Sequence, residues 1–203
     1  MNPYFNTPPV VKNLITANCI IYLATMLLPR FYWFANTYCS LYWFQNPDFH
    51  SWQFITYLFM HGSLSHLFFN MFALWMFGRT LEYELGSQRF LAYYLICGVG
   101  AALVQMAVVF FTGEFSIQLI GASGAVMGLL LAFGVMHPNS VIMLLIPPIP
   151  MKAKYFVMAY AVLELFLGWR GYSPGVAHFA HVGGMLWGWL LLRYWKSKGN
   201  IYY

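Results

Sequence analysis

Charge is what this sequence has least of. Asp, Glu, Lys and Arg make up 7% of its 203 residues, against about 25% in an ordinary soluble domain. That excludes a solvated globular surface and leaves a lipid-facing one. Acids are scarcest, with only Asp48, Glu82, Glu84, Glu114 and Glu164, too few for the intramembrane relay of a transporter or channel. The three cysteines, Cys19, Cys39 and Cys97, are far apart and odd in number, so neither a disulfide framework nor a cysteine metal motif is expected. His-Glu-x-x-His does not occur in the sequence, which argues against a metalloprotease built on that motif. With so few charges, the formal +5 reads as an orientation signal rather than a nucleic-acid surface. A convincing signal peptide is also lacking: Lys12 is the only early positive charge, and the long apolar run after it has no clear small-x-small cleavage site.

What is present is apolar and aromatic, at 61% and 21% of residues. The length suits one domain of about five to seven spans at about 20 residues each. Residues 1–9 form a short polar, proline-rich start, expected to be disordered. Six spans are expected, at about Val10–Leu28, Phe54–Phe77, Phe90–Phe111, Gly121–Met136, Tyr155–Trp169 and Val176–Trp195. They make residues 10–195 a single domain with a tail at 196–203. The aromatic stretch Phe31–Phe49, broken by Asn36, Asn46 and Pro47, is expected to lie half sunk in the headgroup region. Gly78–Arg89 reads as a charged connection, and the segment around Pro147, Pro148 and Pro150 as a proline-interrupted linker. Six spans put both termini on one side. That side collects Lys12, Arg79, Arg89, Lys152, Lys154, Arg193, Lys196 and Lys198, and the other only Arg30 and Arg170. The positive-inside bias makes the termini cytoplasmic, in a multi-pass protein of the cell (inner) membrane.

Gly121-Ala122-Ser123-Gly124 opens a short span. It suits close helix packing, and it also sets a nucleophile-capable hydroxyl at a helix start. From Ser123 to His137 the rise is about 21 Å, against a hydrocarbon core of about 30 Å, so Ser123 should lie about 10 Å below the outer surface. The same count places His181 and His66 near that level, with Asn70 one turn deeper than His66 on the same face. Gly124 and Gly128, and Gly184 and Gly188, form small-xxx-small pairs through which spans four and six could meet. Polar groups converging at one depth fit acyl transfer, with Ser123 as nucleophile and His181 as general base and acid. The Ser123 N–H, His66 and Asn70 would form the oxyanion hole. Glu164 could orient His181, but a pairing with another polar neighbour or a helix contact is the preferred reading, which leaves a Ser–His dyad. His50, His61, His137 and His178 read as interfacial or cavity-lining groups, with His61 the most relevant.

These residues resemble the rhomboid intramembrane serine proteases. Gly121-Ala122-Ser123-Gly124 is similar to the family's GxSG motif. His61, His66 and Asn70 are similar to its second-helix pattern, Ala180-His181-x-x-Gly184-x-x-x-Gly188 to its last-helix signature, and Glu82–Gly86 to the loop after its second helix. The resemblance spans roughly Trp52–Trp195. It implies an all-α, six-transmembrane-helix bundle around a water-filled cavity open to the external (periplasmic) side, with a half-immersed first loop. It implies proteolysis of single-span transmembrane proteins within or near the outer membrane boundary, near a small residue. Substrates would arrive laterally past the second and fifth helices. Ser123 and His181 would be catalytic, and His66, Asn70, Gly121 and His61 would serve the oxyanion and substrate. Membrane lipid and transmembrane substrates are the implied partners, with no metal, cofactor or nucleic acid. Two departures stand out: Gln53 follows Trp52 where many bacterial members have Arg, and Met127 stands where members often have Tyr. Neither removes a group that performs the chemistry. The alternative is a non-catalytic rhomboid-like client-binding protein (a pseudoprotease), though such proteins usually lack the Ser or the His.

Overall fold

The computed structural model describes residues 6–143, 148–171 and 177–201. The expected features at residues 1–5, Pro147, 172–176 and 202–203 lie outside the described residues. The chain is mainly helical. Helix α1 (Pro9–Leu27) stops because Leu28 is extended before Pro29, the conformation a following proline imposes. Pro29 then starts α2 (Pro29–Cys39) at the one position where a missing N–H costs nothing. The aromatic stretch is therefore partly helical, with Tyr32, Trp33 and Phe34 exposed on α2. It continues into a short strand, β1 (Leu41–Tyr42), and later a helical turn, α3 (Gln53–Thr56). Gln53, the departure from the usual Arg, is fully buried and ties this loop together. Its Nε2 donates to the carbonyls of Thr37 (3.3 Å) and Asp48 (2.6 Å).

The expected second span is displaced. Residues 54–59 do not join the helix. Helix α4 runs from Leu64 to Leu85 because the Ser63 side chain accepts from His66 N–H and starts it there. Composition hides this break, since Phe54–Met60 is as apolar as the helix that follows. At the other end, most of the expected charged connection is helical. Only Gly86, at φ 77°, separates α4 from α5 (Ser87–Thr112). Glu82 is not a loop residue. It is buried, and its carboxylate accepts Val10 N–H (2.9 Å), Val11 N–H (2.8 Å) and the Ser87 hydroxyl (2.6 Å). A side chain of α4 thus satisfies the free amides, and the positive dipole end, of α1. Glu82→Ala is expected to destabilise the protein by about 2 kcal/mol, read as a lower unfolding temperature in detergent. An unchanged temperature would show that water replaces the cap.

Strand β2 (Gln118–Leu119) pairs antiparallel with β1, Leu41 opposite Leu119. It ties the first loop to the residues leading into α6 (Ser123–Met136). The proline-interrupted linker contains a hairpin, β3 (Val141–Met143) with β4 (Pro150–Lys152). Helix α7 (Ala153–Arg170) follows, then α8 (His178–Ser197). The tail folds back: Arg89 donates to the Asn200 carbonyl (2.9 Å) and Ile201 is buried.

Helix α6 is apolar on all sides and contacts α4, α5, α7 and α8, as a helix with no polar face must. Gly184 of α8 lies against the Gly124 backbone of α6, so close that a Cβ on Gly184 would overlap the Gly124 carbonyl. Gly128 meets the Gly184 carbonyl on the same seam, whereas Gly188 faces Tyr93 of α5.

Of the six expected spans, two of the described helices, α1 and α5, are long and apolar enough to cross a membrane on their own; α6 is apolar but only 14 residues long. The other three carry polar groups turned inward. In α4 these are Asn70 and Glu82, in α7 Glu164, and in α8 His178 and His181. Outward, large apolar side chains such as Phe110, Phe111, Val162, Phe166 and Trp169 are exposed, more than a water-facing surface tolerates.

Candidate active site

The site forms where α4, α6, α7 and α8 converge. Gly121 makes the turn into α6 at φ 109°, a left-handed conformation that favours glycine. Its amide donates to the Tyr57 carbonyl (2.9 Å), and a Cβ here would sit 2.6 Å from His66 Nε2. Glycine is needed for both the turn and the close approach. Ser123 is the first residue of α6, and the first backbone bond of the helix is Val126 N–H to the Ala122 carbonyl. The amides before it point out of the helix start with no partner from the helix itself.

Ser123 Oγ lies 2.8 Å from Nε2 of His181, 58 residues away in sequence. This is the contact that the facing glycines of α6 and α8 allow. His181 is buried, and Ser123 is partly open to a cavity of about 560 Å³. His66, Asn70, Met127 and Tyr160 also line it. Asn70 is buried and its Nδ2 donates to the His66 carbonyl (3.0 Å), which holds it on the cavity side of α4. His61 is buried behind, its ring edge-on to His66 at 4.9 Å between centroids. Neither of its ring nitrogens has a hydrogen-bond partner among the described residues. All six residues singled out from sequence, Ser123, His181, His66, Asn70, Gly121 and His61, therefore fall in one neighbourhood.

Glu164 falls there too, and it pairs both with another polar neighbour, as preferred from the sequence, and with His181. Its Oε2 lies 2.9 Å from His181 Nδ1 and 2.7 Å from His178 Nδ1. Tyr160 is one turn earlier on α7 and lies beside the same side chain. His178 is thus a bonded part of the site rather than a bystander. Ala153, Val157 and Glu164 are the buried residues of α7, and their spacing of four and seven puts them on one helix face. Glu164, His178 and His181 each offer one ligand atom, all within 4.8 Å of one another, so they are also the residues that could hold a metal ion.

The remaining histidines lie elsewhere. His50 stacks on Trp52, 4.3 Å between centroids. His137, at the opposite end of α6, bonds Glu84 at 3.0 Å.

Comparison with known proteins identifies the family. The family model described as the Rhomboid domain matches residues 48–197. The chain is 32% identical over 149 residues to the mitochondrial presenilin-associated rhomboid-like protein of Bos taurus, covering 69% of this chain and 38% of that protein. It is 36% identical over 134 residues to presenilin-associated rhomboid-like protein A of Danio rerio, covering 64% of this chain and 34% of the relative. It is 27% identical over 183 residues to rhomboid protease GlpG of Salmonella typhi, covering 89% of this chain and 60% of the relative. The matched region is thus well under half of each mitochondrial protein. With most of its length inside the Rhomboid domain, the chain belongs to the rhomboid family and is a membrane protein.

Proposed function

We propose that the protein is an intramembrane serine endopeptidase that cleaves single-span transmembrane proteins near the outer membrane boundary. The observation that carries this reading is the 2.8 Å contact from Ser123 Oγ to His181 Nε2 at a cavity wall. In the first step His181 Nε2 takes the Ser123 proton as Oγ attacks the peptide carbonyl. The oxyanion is held by the Ser123 N–H at the start of α6 and by His66 and Asn70. His181 then protonates the leaving amine, and cavity water hydrolyses the acyl-enzyme.

In this reading α1, α4, α5, α6, α7 and α8 are the six spans of a single domain over residues 10–195. The segment from α2 to α3 is the half-immersed loop. Both termini are cytoplasmic, on the side of the basic residues, and the cavity opens outward in the cell (inner) membrane. Helix α6 is about 21 Å long by its residue count, shorter than the hydrocarbon core, which sets Ser123 below the outer surface.

The test is reconstitution with a labelled single-span substrate, combined with fluorophosphonate labelling. Cleavage and labelling at Ser123 are expected. A folded protein that binds the substrate but neither cleaves nor labels would be a client-binding relative without catalysis. Asn70→Ala should lower kcat by about 10²-fold and leave substrate binding nearly unchanged. If the change falls on apparent affinity instead, Asn70 is a docking residue.

A further inference from the structure

Resting on the protease reading, we infer that Glu164 is the positioning residue for His181, so that this chain works through a Ser123–His181–Glu164 relay, with His178 as a second donor to the same carboxylate.

An ionised carboxylate only accepts hydrogen bonds. Glu164 Oε2 meets His181 Nδ1 and His178 Nδ1 at 2.9 and 2.7 Å, so each Nδ1 carries a proton. In the neutral imidazole that leaves His181 Nε2 bare and able to accept, and Nε2 is the atom facing Ser123 Oγ. The carboxylate thus selects the one tautomer in which His181 can act as a base. When the Ser123 proton arrives at Nε2, His181 becomes an imidazolium beside a buried negative charge, which stabilises it. The proton then goes to the leaving nitrogen and never to Glu164.

A carboxylate buried in a membrane protein is costly unless its lone pairs are used. Two imidazoles use those of Glu164 Oε2. Along α7 the flanks of this residue are open. Val162, Leu163, Leu165 and Phe166 are exposed, and Glu164 is the buried residue among them. Glu164 therefore joins α7 to His181 directly. His178 fixes the carboxylate from the other side and is one turn before His181 on α8, which explains why both rings reach one oxygen.

The experiment compares wild type, Ser123→Ala, Glu164→Gln and His178→Gln as full-length protein in liposomes, measuring kcat and KM for the labelled substrate and the rate of fluorophosphonate labelling. Glutamine keeps the shape but presents an amide that cannot serve as the anionic acceptor. Glu164→Gln is expected to lower kcat by up to about 10⁴-fold, the loss that follows when a serine protease's histidine is held in the wrong tautomer, with KM within about threefold and labelling slowed in proportion. His178→Gln leaves the His181–Glu164 bond and should lower kcat by no more than about tenfold. Wild-type turnover in Glu164→Gln overturns the relay. Equal losses in Glu164→Gln and His178→Gln, together with a lower unfolding temperature, reduce Glu164 to a clamp between α7 and α8. Activity that a chelator removes and zinc restores makes the three residues a metal site instead. If Glu164→Gln does not fold, the ¹⁵N-histidine spectrum of wild type decides. A proton on Nδ1 of His181 supports the relay, and one on Nε2 overturns it. A wild type that neither cleaves nor labels defeats the protease reading itself, an outcome distinct from any of these.

Discussion

Alanine at His181 is expected to reduce cleavage by about 10⁴-fold or more while leaving the protein folded and able to bind substrate. His181 is the group in contact with the Ser123 hydroxyl, and a serine at its free pKa is a weak nucleophile without a base. Fluorophosphonate labelling should fall with cleavage, because it needs the same activated oxygen. Ser123→Ala should give the same loss, and the double variant no further loss, since the two groups act as one unit. The comparison is made with substrate above KM, so that turnover rather than binding is read. Cleavage by His181→Ala within about tenfold of wild type would assign the base elsewhere. His66, which lines the same cavity, would be the next candidate.

Alanine at Gly184 is expected to lower kcat by about 10²-fold or more, although Gly184 touches neither Ser123 nor the substrate cavity. A Cβ at this position would overlap the Gly124 carbonyl, which is backbone and cannot rotate away. Helices α6 and α8 would have to separate. The Ser123–His181 bond spans that seam, and a displacement of about 1 Å in reacting groups costs about 10²-fold in rate. Overpacking should also destabilise the fold by about 1–3 kcal/mol. Kinetics and thermal unfolding on the same sample separate the two effects. Wild-type turnover at an unchanged unfolding temperature would show that the seam yields without moving the site.

Much of the site was legible in the sequence because membrane depth and helix rise share one axis. Ser123, His66 and His181 could be levelled by counting residues from the basic end of each span. The small residues Gly124 and Gly184 marked the faces that meet. The count failed where its assumptions did. Phe54–Met60 is as apolar as a span, yet α4 begins only at Leu64, since the local Ser63 cap decides the start rather than hydropathy. Glu82, Gln53 and Glu164 were the harder residues. Each is a polar side chain with a partner 71, 16 or 17 residues away, and no spacing rule reaches that far.

The sequence by itself therefore determined the membrane setting, the short α6 and the candidates for nucleophile and base, because these follow from composition, rise per residue and side-chain chemistry. Only the tertiary structure decided which acid stands behind His181. That choice depends on how α7 lies against α8, and it joins Glu164 of one helix to two histidines of the other across a packed interface that sequence order does not encode.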